Sequence, residues 1–362
     1  LKTTSIDIIC LGEGEKTILE IVNGKPLENV NGIVFKDLFA VPTGQAGRDN
    51  PIYRTPPRPA IEDLDTLPYP AWHLYDLSRY KLTKLLSRRN PVGHLEISRG
   101  CPFRCVYCNK NIFGYKYRVK TVERVIKEIQ FMLERGFKEI HIHDDCFTAD
   151  LNRAKKICQE IIRRKLKFFW AANSGVRSDC VDYELFDLMK KSGCYRVSFG
   201  IETGSDAVLK VIKKGQTIND IKIMVKMAKK AGLETFGFFM MALPGETEHS
   251  LQQTINLSKE LDLDLAKCAI TLPLPGTPYF EQLSQEGRIK KTSWSNYTFY
   301  SISKIRLVYE HPSLKWGTIE KYYKRFYREF YFRPKYVIKR LLKRLFDGNL
   351  INDIKYVLAT RW

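Results

Sequence analysis

The sequence predicts an α/β fold built on a parallel sheet. Three observations carry that expectation: six short apolar runs suited to strands, five amphipathic segments suited to helices, and a regular alternation between them from His94 onward. The strand candidates are His94–Ser98, Glu139–His143, Phe168–Ala172, Arg196–Ile201, Thr235–Met241 and Ala266–Leu272. The helix candidates are Val122–Arg135, Leu151–Lys165, Tyr183–Lys191, Ile218–Ala231 and Glu248–Leu261, and Gly136, Gly193 and Gly232 sit where helices should stop. Right-handed crossovers would either curl six such units into a partial barrel or wind them into an open sheet, and periodicity does not choose between these. In both, function belongs at the carboxyl ends of the strands.

Flanking segments read differently. Ser5–Leu11 is a short Ile-rich strand, Gly12-Glu13-Gly14-Glu15 a turn, and Lys16–Val22 a helix. From Pro42 to Pro70 the chain is rich in Pro, Gly and Arg, a composition with little capacity for a core, and reads as a linker. Thr318–Tyr331 and Pro334–Phe346 have helical spacing, with aromatics and leucines set among basic residues.

The 362 residues are 44% hydrophobic and 28% charged, which fits a folded protein with a sizeable core. The net charge of +20 is uneven: residues 310–362 alone carry a net +8, a basic tail on a more moderate body. That distribution argues against a nucleic-acid binder. The tail suits a helical cap over the barrel, an anionic membrane surface or a phosphate-rich ligand. No apolar run approaches a membrane span and no signal segment opens the chain, so the expected setting is the cytoplasm, with contact at the inner membrane surface through the tail.

Nine cysteines do not form a disulfide pattern, because three crowd into eight residues. Cys101-Pro102-Phe103-Arg104-Cys105-Val106-Tyr107-Cys108 follows the first strand of the alternation and presents three soft thiolates from one loop. Three ligands on a cuboidal 4Fe–4S cluster leave one iron open. The competing reading is structural zinc, which normally closes with a fourth ligand. No second C-x2-C or H-x3-5-H occurs, although His141 and His143 share one strand face.

With this spacing, aromatic and strand context, residues Val92 to Lys290 resemble the radical S-adenosylmethionine (SAM) superfamily. The resemblance implies a partial (β/α)6 barrel over residues 91–300. It implies that Cys101, Cys105 and Cys108 hold a 4Fe–4S cluster whose open iron chelates SAM, and that reductive cleavage yields a 5′-deoxyadenosyl radical. Tyr107 would lie near adenine, and Asp144 or Asp145 would meet the methionine amino group, unless that pair is a helix cap or simply solvated. Ser174 and Arg177 would stand near the SAM carboxylate, with a surface ion pair as the other reading of Arg177. Glu202 would hold the ribose hydroxyls, and the Leu243-Pro244-Gly245 turn would pack on adenine. The expected substrate is a small molecule of the lipid or tetrapyrrole kind, and the electron source a flavodoxin- or ferredoxin-like reductant.

Within the superfamily, the opening Asp7–Glu15 segment is similar to the end of a Rossmann-like cobalamin domain, which makes residues 1–41 a remnant of one, 42–90 a linker and 301–362 a basic helical region. The subfamily includes methylases of unactivated carbons and a tetrapyrrole cyclase. This chain lacks the D-x-H-x-x-G segment of many cobalamin sites, and one strand–helix unit cannot enclose a corrin. Either upstream residues are missing or the barrel acts without cobalamin, and an N-terminally truncated member is the expectation. Two other functions stay open: an RNA-modifying, methylthiotransferase-like enzyme, and a non-catalytic binding module stabilised by metal.

Overall fold

A computed structural model describes residues 5–36, 51–299 and 301–347, with the side chains of 343–347 excepted. Parts of the expected linker and of the basic C-terminal region thus lie outside the described residues.

The chain opens with β1 (Ile8–Cys10), α1 (Glu15–Val22), β2 (Ile33–Lys36) and β3 (Ile52–Arg54). These three strands form an antiparallel sheet in the order β1-β2-β3. Its small core is Val30, Ile33 and Phe35. Residues 51–66 belong to the stretch whose composition reads as a linker, yet they are anchored on both sides. Arg58 pairs with Glu20 of α1, and Asp65 accepts from the backbone and hydroxyl of Thr121 at the start of a barrel helix. Ile61 and Leu64 of this stretch are also buried, so the anchorage is apolar as well as polar.

The barrel then runs β4 (Val92–Leu95), β5 (Ser98–Arg99), β6 (Arg118–Val119), α2 (Val122–Glu134), β7 (Glu139–Ile142), α3 (Leu151–Arg163), β8 (Phe169–Val176), α4 (Tyr183–Lys191) and β9 (Cys194–Glu202). It continues with α5 (Asp206–Val211), α6 (Ile218–Lys230), β10 (Glu234–Met241), α7 (Glu248–Glu260), β11 (Leu265–Ile270), α8 (Pro278–Gln285) and α9 (Ile302–Ile305). Each main helix starts where a Thr or Asp side chain accepts a backbone N–H of the first turn: Thr121, Asp150, Asp182, Thr217 and Thr247.

Six strands pair in parallel in the order β4-β7-β8-β9-β10-β11, which is also their order along the chain. That order decides between the two architectures. A doubly wound sheet reverses direction at its middle, whereas crossovers that all step the same way put every helix on one face. The other face curls inward. The result is a six-stranded partial barrel with β4 and β11 at its edges. Outward side chains such as Ile140, Ile142, Val197 and Phe199 join the helices in one core.

The exposed edge of β11 is covered by α10 (Trp316–Tyr331), followed by α11 (Pro334–Asp347). Tyr327 accepts from the Cys268 N–H at 3.0 Å and donates to its carbonyl at 2.8 Å, and Tyr331 does the same to Ala266 at 3.1 and 2.6 Å. Two tyrosines one turn apart therefore stand in for the missing neighbouring strand. Ile319, Phe326 and Phe330 of α10 are fully buried, so this part of the basic region is a cap on the barrel. Among the described residues no helix is long and apolar enough to cross a membrane.

Candidate active site at the barrel mouth

The antiparallel pair β5 and β6 clasps the loop that carries Cys101, Cys105 and Cys108. Cys101 is buried, Cys105 and Cys108 are half-buried, and all three are free thiols. Gly100 sets the turn into the loop. Its φ is +80°, and a Cβ there would lie 2.2 Å from the Lys116 carbonyl oxygen. Gly100→Ala should therefore add left-handed strain of about 1–2 kcal/mol to a backbone clash. Lower iron uptake and a lower melting temperature are expected together; a variant that loads iron normally would show that the loop tolerates another entry angle.

Beyond Gly100 the loop is tied to the ends of several strands. Asp145 accepts from the Gly100 N–H at 3.0 Å, while Asp144 accepts from the Ile97 N–H at 2.7 Å and the Ser98 hydroxyl at 2.5 Å. The Val106 N–H reaches Ile212 at 3.2 Å, its carbonyl accepts from Tyr279, and Asn109 reaches the Pro275 carbonyl. Both oxygens of Asp144 are thus spent on the protein, and burial lifts its pKa to about 6 against those hydrogen bonds. Asp145 is exposed, so of the two it is the carboxylate available to a ligand.

Behind the loop, Arg99 and Arg118 pair with Glu13, and Arg99 pairs also with Glu15 and Glu96. The Gly12–Glu15 turn is therefore a latch onto the cysteine-bearing strands. Sequence spacing gave no sign of this, since Glu13 and Arg99 are far apart along the chain.

The thiols share an electrostatic environment. A hydrogen bond from the Cys146 thiol, and then one from Phe103 and the Lys110 ammonium, hold Cys101 below the ordinary thiol range. Burial, together with Cys105 and Cys101 nearby, pushes Cys108 up, and Lys110 opposes that shift. Lys110 and Cys146 are additions that the sequence pattern did not single out.

Across the mouth, Glu202 ends β9 in a left-handed conformation, φ +68°, rare for a side chain of this kind. Its carboxylate pairs with the Lys214 ammonium at 2.7 Å and lies beside the Tyr107 side chain. A Cβ on Gly200 would lie 2.8 Å from the Glu202 carboxylate and 2.9 Å from the Lys214 ammonium, so glycine lets the pair sit against the backbone here. The structure thereby joins Tyr107 of the cysteine loop to Glu202. Lys214, missed in the sequence, completes the unit.

Arg177 is committed elsewhere than a free cation would be. It bonds both oxygens of Asp179 at 3.0 and 2.8 Å, donates to the Lys214 carbonyl, and stacks 3.5 Å over Phe103 between the first two cysteines. Ser174 is half-buried on β8. The Leu243-Pro244-Gly245 turn ends β10; its Leu243 N–H donates to Glu246 at 3.1 Å and its Leu243 carbonyl lies 3.0 Å from His311 Nε2.

The barrel lumen below the mouth holds a second group. His94, His141 and His143 place one ring nitrogen each within 4.8 Å of the others. Among the described residues these three are the one group of Cys, His, Asp or Glu side chains placed to hold a metal ion. Three soft thiols on one loop are the kind of ligand set that a cuboidal cluster takes. His141 and His143, the candidates for a mixed zinc site, group with His94 instead.

Comparison with known proteins follows this geometry. A family model described as the Radical SAM superfamily matches residues 95–258. An uncharacterized methyltransferase of Pyrococcus horikoshii is 34% identical over 344 residues, covering 93% of this chain and 70% of that protein. The cytidylyl-2-hydroxyethylphosphonate methyltransferase of Streptomyces wedmorensis is 29% identical over 326 residues, and the chain spans 58% of its length. The radical SAM methyltransferase TsrM from Kitasatospora setae, solved with cobalamin and a [4Fe-4S] cluster bound, shares the fold: TM-score 0.64, 19% identity, 88% of this chain and 68% of that one. Because the identity with the Pyrococcus protein extends over nearly all of this chain, cysteine loop and barrel together, the chain belongs to the radical SAM superfamily, whose enzymes use a 4Fe–4S cluster and SAM.

Proposed function

We propose that Cys101, Cys105 and Cys108 hold the cluster and that the chain cleaves SAM reductively for cobalamin-assisted C-methylation, or related carbon-centred chemistry, on a small molecule. The observation that carries this reading is the Tyr107–Glu202–Lys214 unit beside the three thiols, on the same barrel end. When bound, the cluster supplies the electron that breaks a carbon–sulfur bond of SAM. The protein's own part is positioning. Asp145 holds the loop with one oxygen and offers the other toward the methionine amino group. Glu202 presents a carboxylate for the ribose hydroxyls, with Lys214 keeping it aimed. Arg177, through Phe103, steadies the loop against β8 and the Lys214 backbone.

Methyl transfer and cobalamin are supported by the relatives: two are methyltransferases by name, and the solved neighbour binds cobalamin. The test is anaerobic reconstitution, which should give about four irons per chain and SAM cleavage on reduction. Glu202→Gln should keep its iron and weaken SAM binding roughly tenfold or more, since a hydrogen bond to a charged group contributes about 1.5–3 kcal/mol. Unchanged affinity by calorimetry would remove Glu202 from the SAM site.

A further inference from the structure

We propose that His94, His141 and His143 form a second metal site, for a zinc-class divalent ion, inside the barrel and separate from the cysteine loop. The proposal rests on the barrel alone and does not require the cluster reading.

The site is built by strand pairing. His94 on β4 lies in register with His141 on β7, and His143 follows two residues on, so all three belong to the lumen face. Their ring centroids are 4.9, 5.9 and 6.2 Å apart and their planes are inclined at 48–78°, so none stacks face to face on another. Tetrahedral zinc, at about 2.0–2.1 Å from each nitrogen, would set the three nitrogens about 3.3 Å apart. The three ring nitrogens lie within 4.8 Å of one another, close enough to converge on one ion. His94 and His143 are exposed in part, and no side-chain hydrogen bond among the described residues holds either ring.

His141 is prepared as a ligand. Its Nε2 lies 2.6 Å from Glu139, leaving Nδ1, now 2.8 Å from the Asn173 amide, as the nitrogen to face an ion. Glu139 is fully buried and is fixed by the Tyr195 hydroxyl at 2.7 Å and the Arg88 and Arg89 N–H groups, both at 2.8 Å. A buried carboxylate whose one ion-pair partner among the described residues is a histidine is the outer support that metal-bound imidazoles usually have. A histidine merely satisfied within the core would account for His141 but not for two further rings gathered at its free edge. Three imidazoles leave a fourth position for water or for an oxygen of the substrate, as in catalytic zinc sites. Glu139 is then a positioning residue.

The test uses the full chain with its cluster loaded, stripped of adventitious metal and dialysed against zinc, counting zinc and iron separately. About one zinc per chain is expected, with nitrogen and oxygen but no sulfur in its X-ray absorption shell. The His94→Ala/His143→Ala double variant, both rings being partly exposed, should fold, keep its iron and lose zinc affinity at least tenfold; Glu139→Gln should weaken zinc by about 10–100-fold. The same titration in a Cys101→Ala/Cys105→Ala/Cys108→Ala chain should still give one zinc. Sulfur in the zinc shell, zinc that survives the double histidine variant, or zinc lost with the cysteines would each overturn the site. Absent iron with zinc retained would instead defeat the cluster assignment and leave this site standing.

Discussion

Replacing Cys105 with alanine is expected to abolish iron incorporation and SAM cleavage together. The thiols stand on one short loop, with Cys101 buried at its base and Cys105 and Cys108 half-buried above it. Two remaining sulfurs cannot hold a cuboidal cluster in place while leaving one iron for SAM. Iron after reconstitution should fall from about four per chain to below one, and cleavage to background. The fold should survive, because the substitution removes a single half-buried sulfur from a loop that is pinned through Gly100, Val106 and Asn109. A melting curve within about 1 kcal/mol of the parent would establish that. Cys10→Ala, in the exposed part of β1, should keep full iron and full cleavage. Cleavage persisting in the Cys105 variant would sink the ligand assignment.

A second large effect concerns stability against pH. Glu246 is fully buried beneath the Leu243–Gly245 turn, and burial lifts its carboxyl from an ordinary 4.5 to about 8, opposed only by the Leu243 and Ala242 N–H groups. Cys268, Tyr279 and Tyr309 face it, and each is itself raised by burial and by Glu246, while His311 is lowered by its own burial. The folded chain therefore holds this proton more tightly than the unfolded chain. Its contribution is fully present below pH 4.5 and is lost as pH rises toward and through 8, by up to about 5 kcal/mol. Glu246→Gln keeps an acceptor for the Leu243 N–H and cannot ionise. Its melting temperature should fall less steeply than the parent's between pH 5 and 8 and should exceed the parent's at pH 8. An unchanged slope in the Gln variant would assign the pH dependence to another group.

The comparison of reading and structure follows the range of each interaction. Strand and helix spans agree to within a few residues, because the hydrophobic period, the capping residues and the glycine stops act between neighbours in the chain. The cysteine loop was equally plain, as its three ligands lie within eight residues. Arg177 shows the limit: its place at the end of β8 was foreseen, but its guanidinium is taken up by Asp179 and Phe103. Asp144 likewise sits at the foreseen strand end, with both oxygens bonded to the first strand and the turn beyond it.

By itself the sequence determined the alternation of six strands with helices, the soft-ligand loop after the first strand and the carboxylate at the end of the fourth. The strand order bore out the partial barrel that the family resemblance implied and periodicity left open, and only the tertiary structure decided that Lys214 and Tyr107 meet Glu202, that the Glu13 turn latches the cysteine strands, and that His94 joins His141 and His143. The physical reason is common to all three. Periodicity and spacing report what covalent neighbours can do, whereas these contacts arise from the one-way sequence of crossovers and the curvature it imposes, which bring side chains from distant strands into one lumen and one mouth.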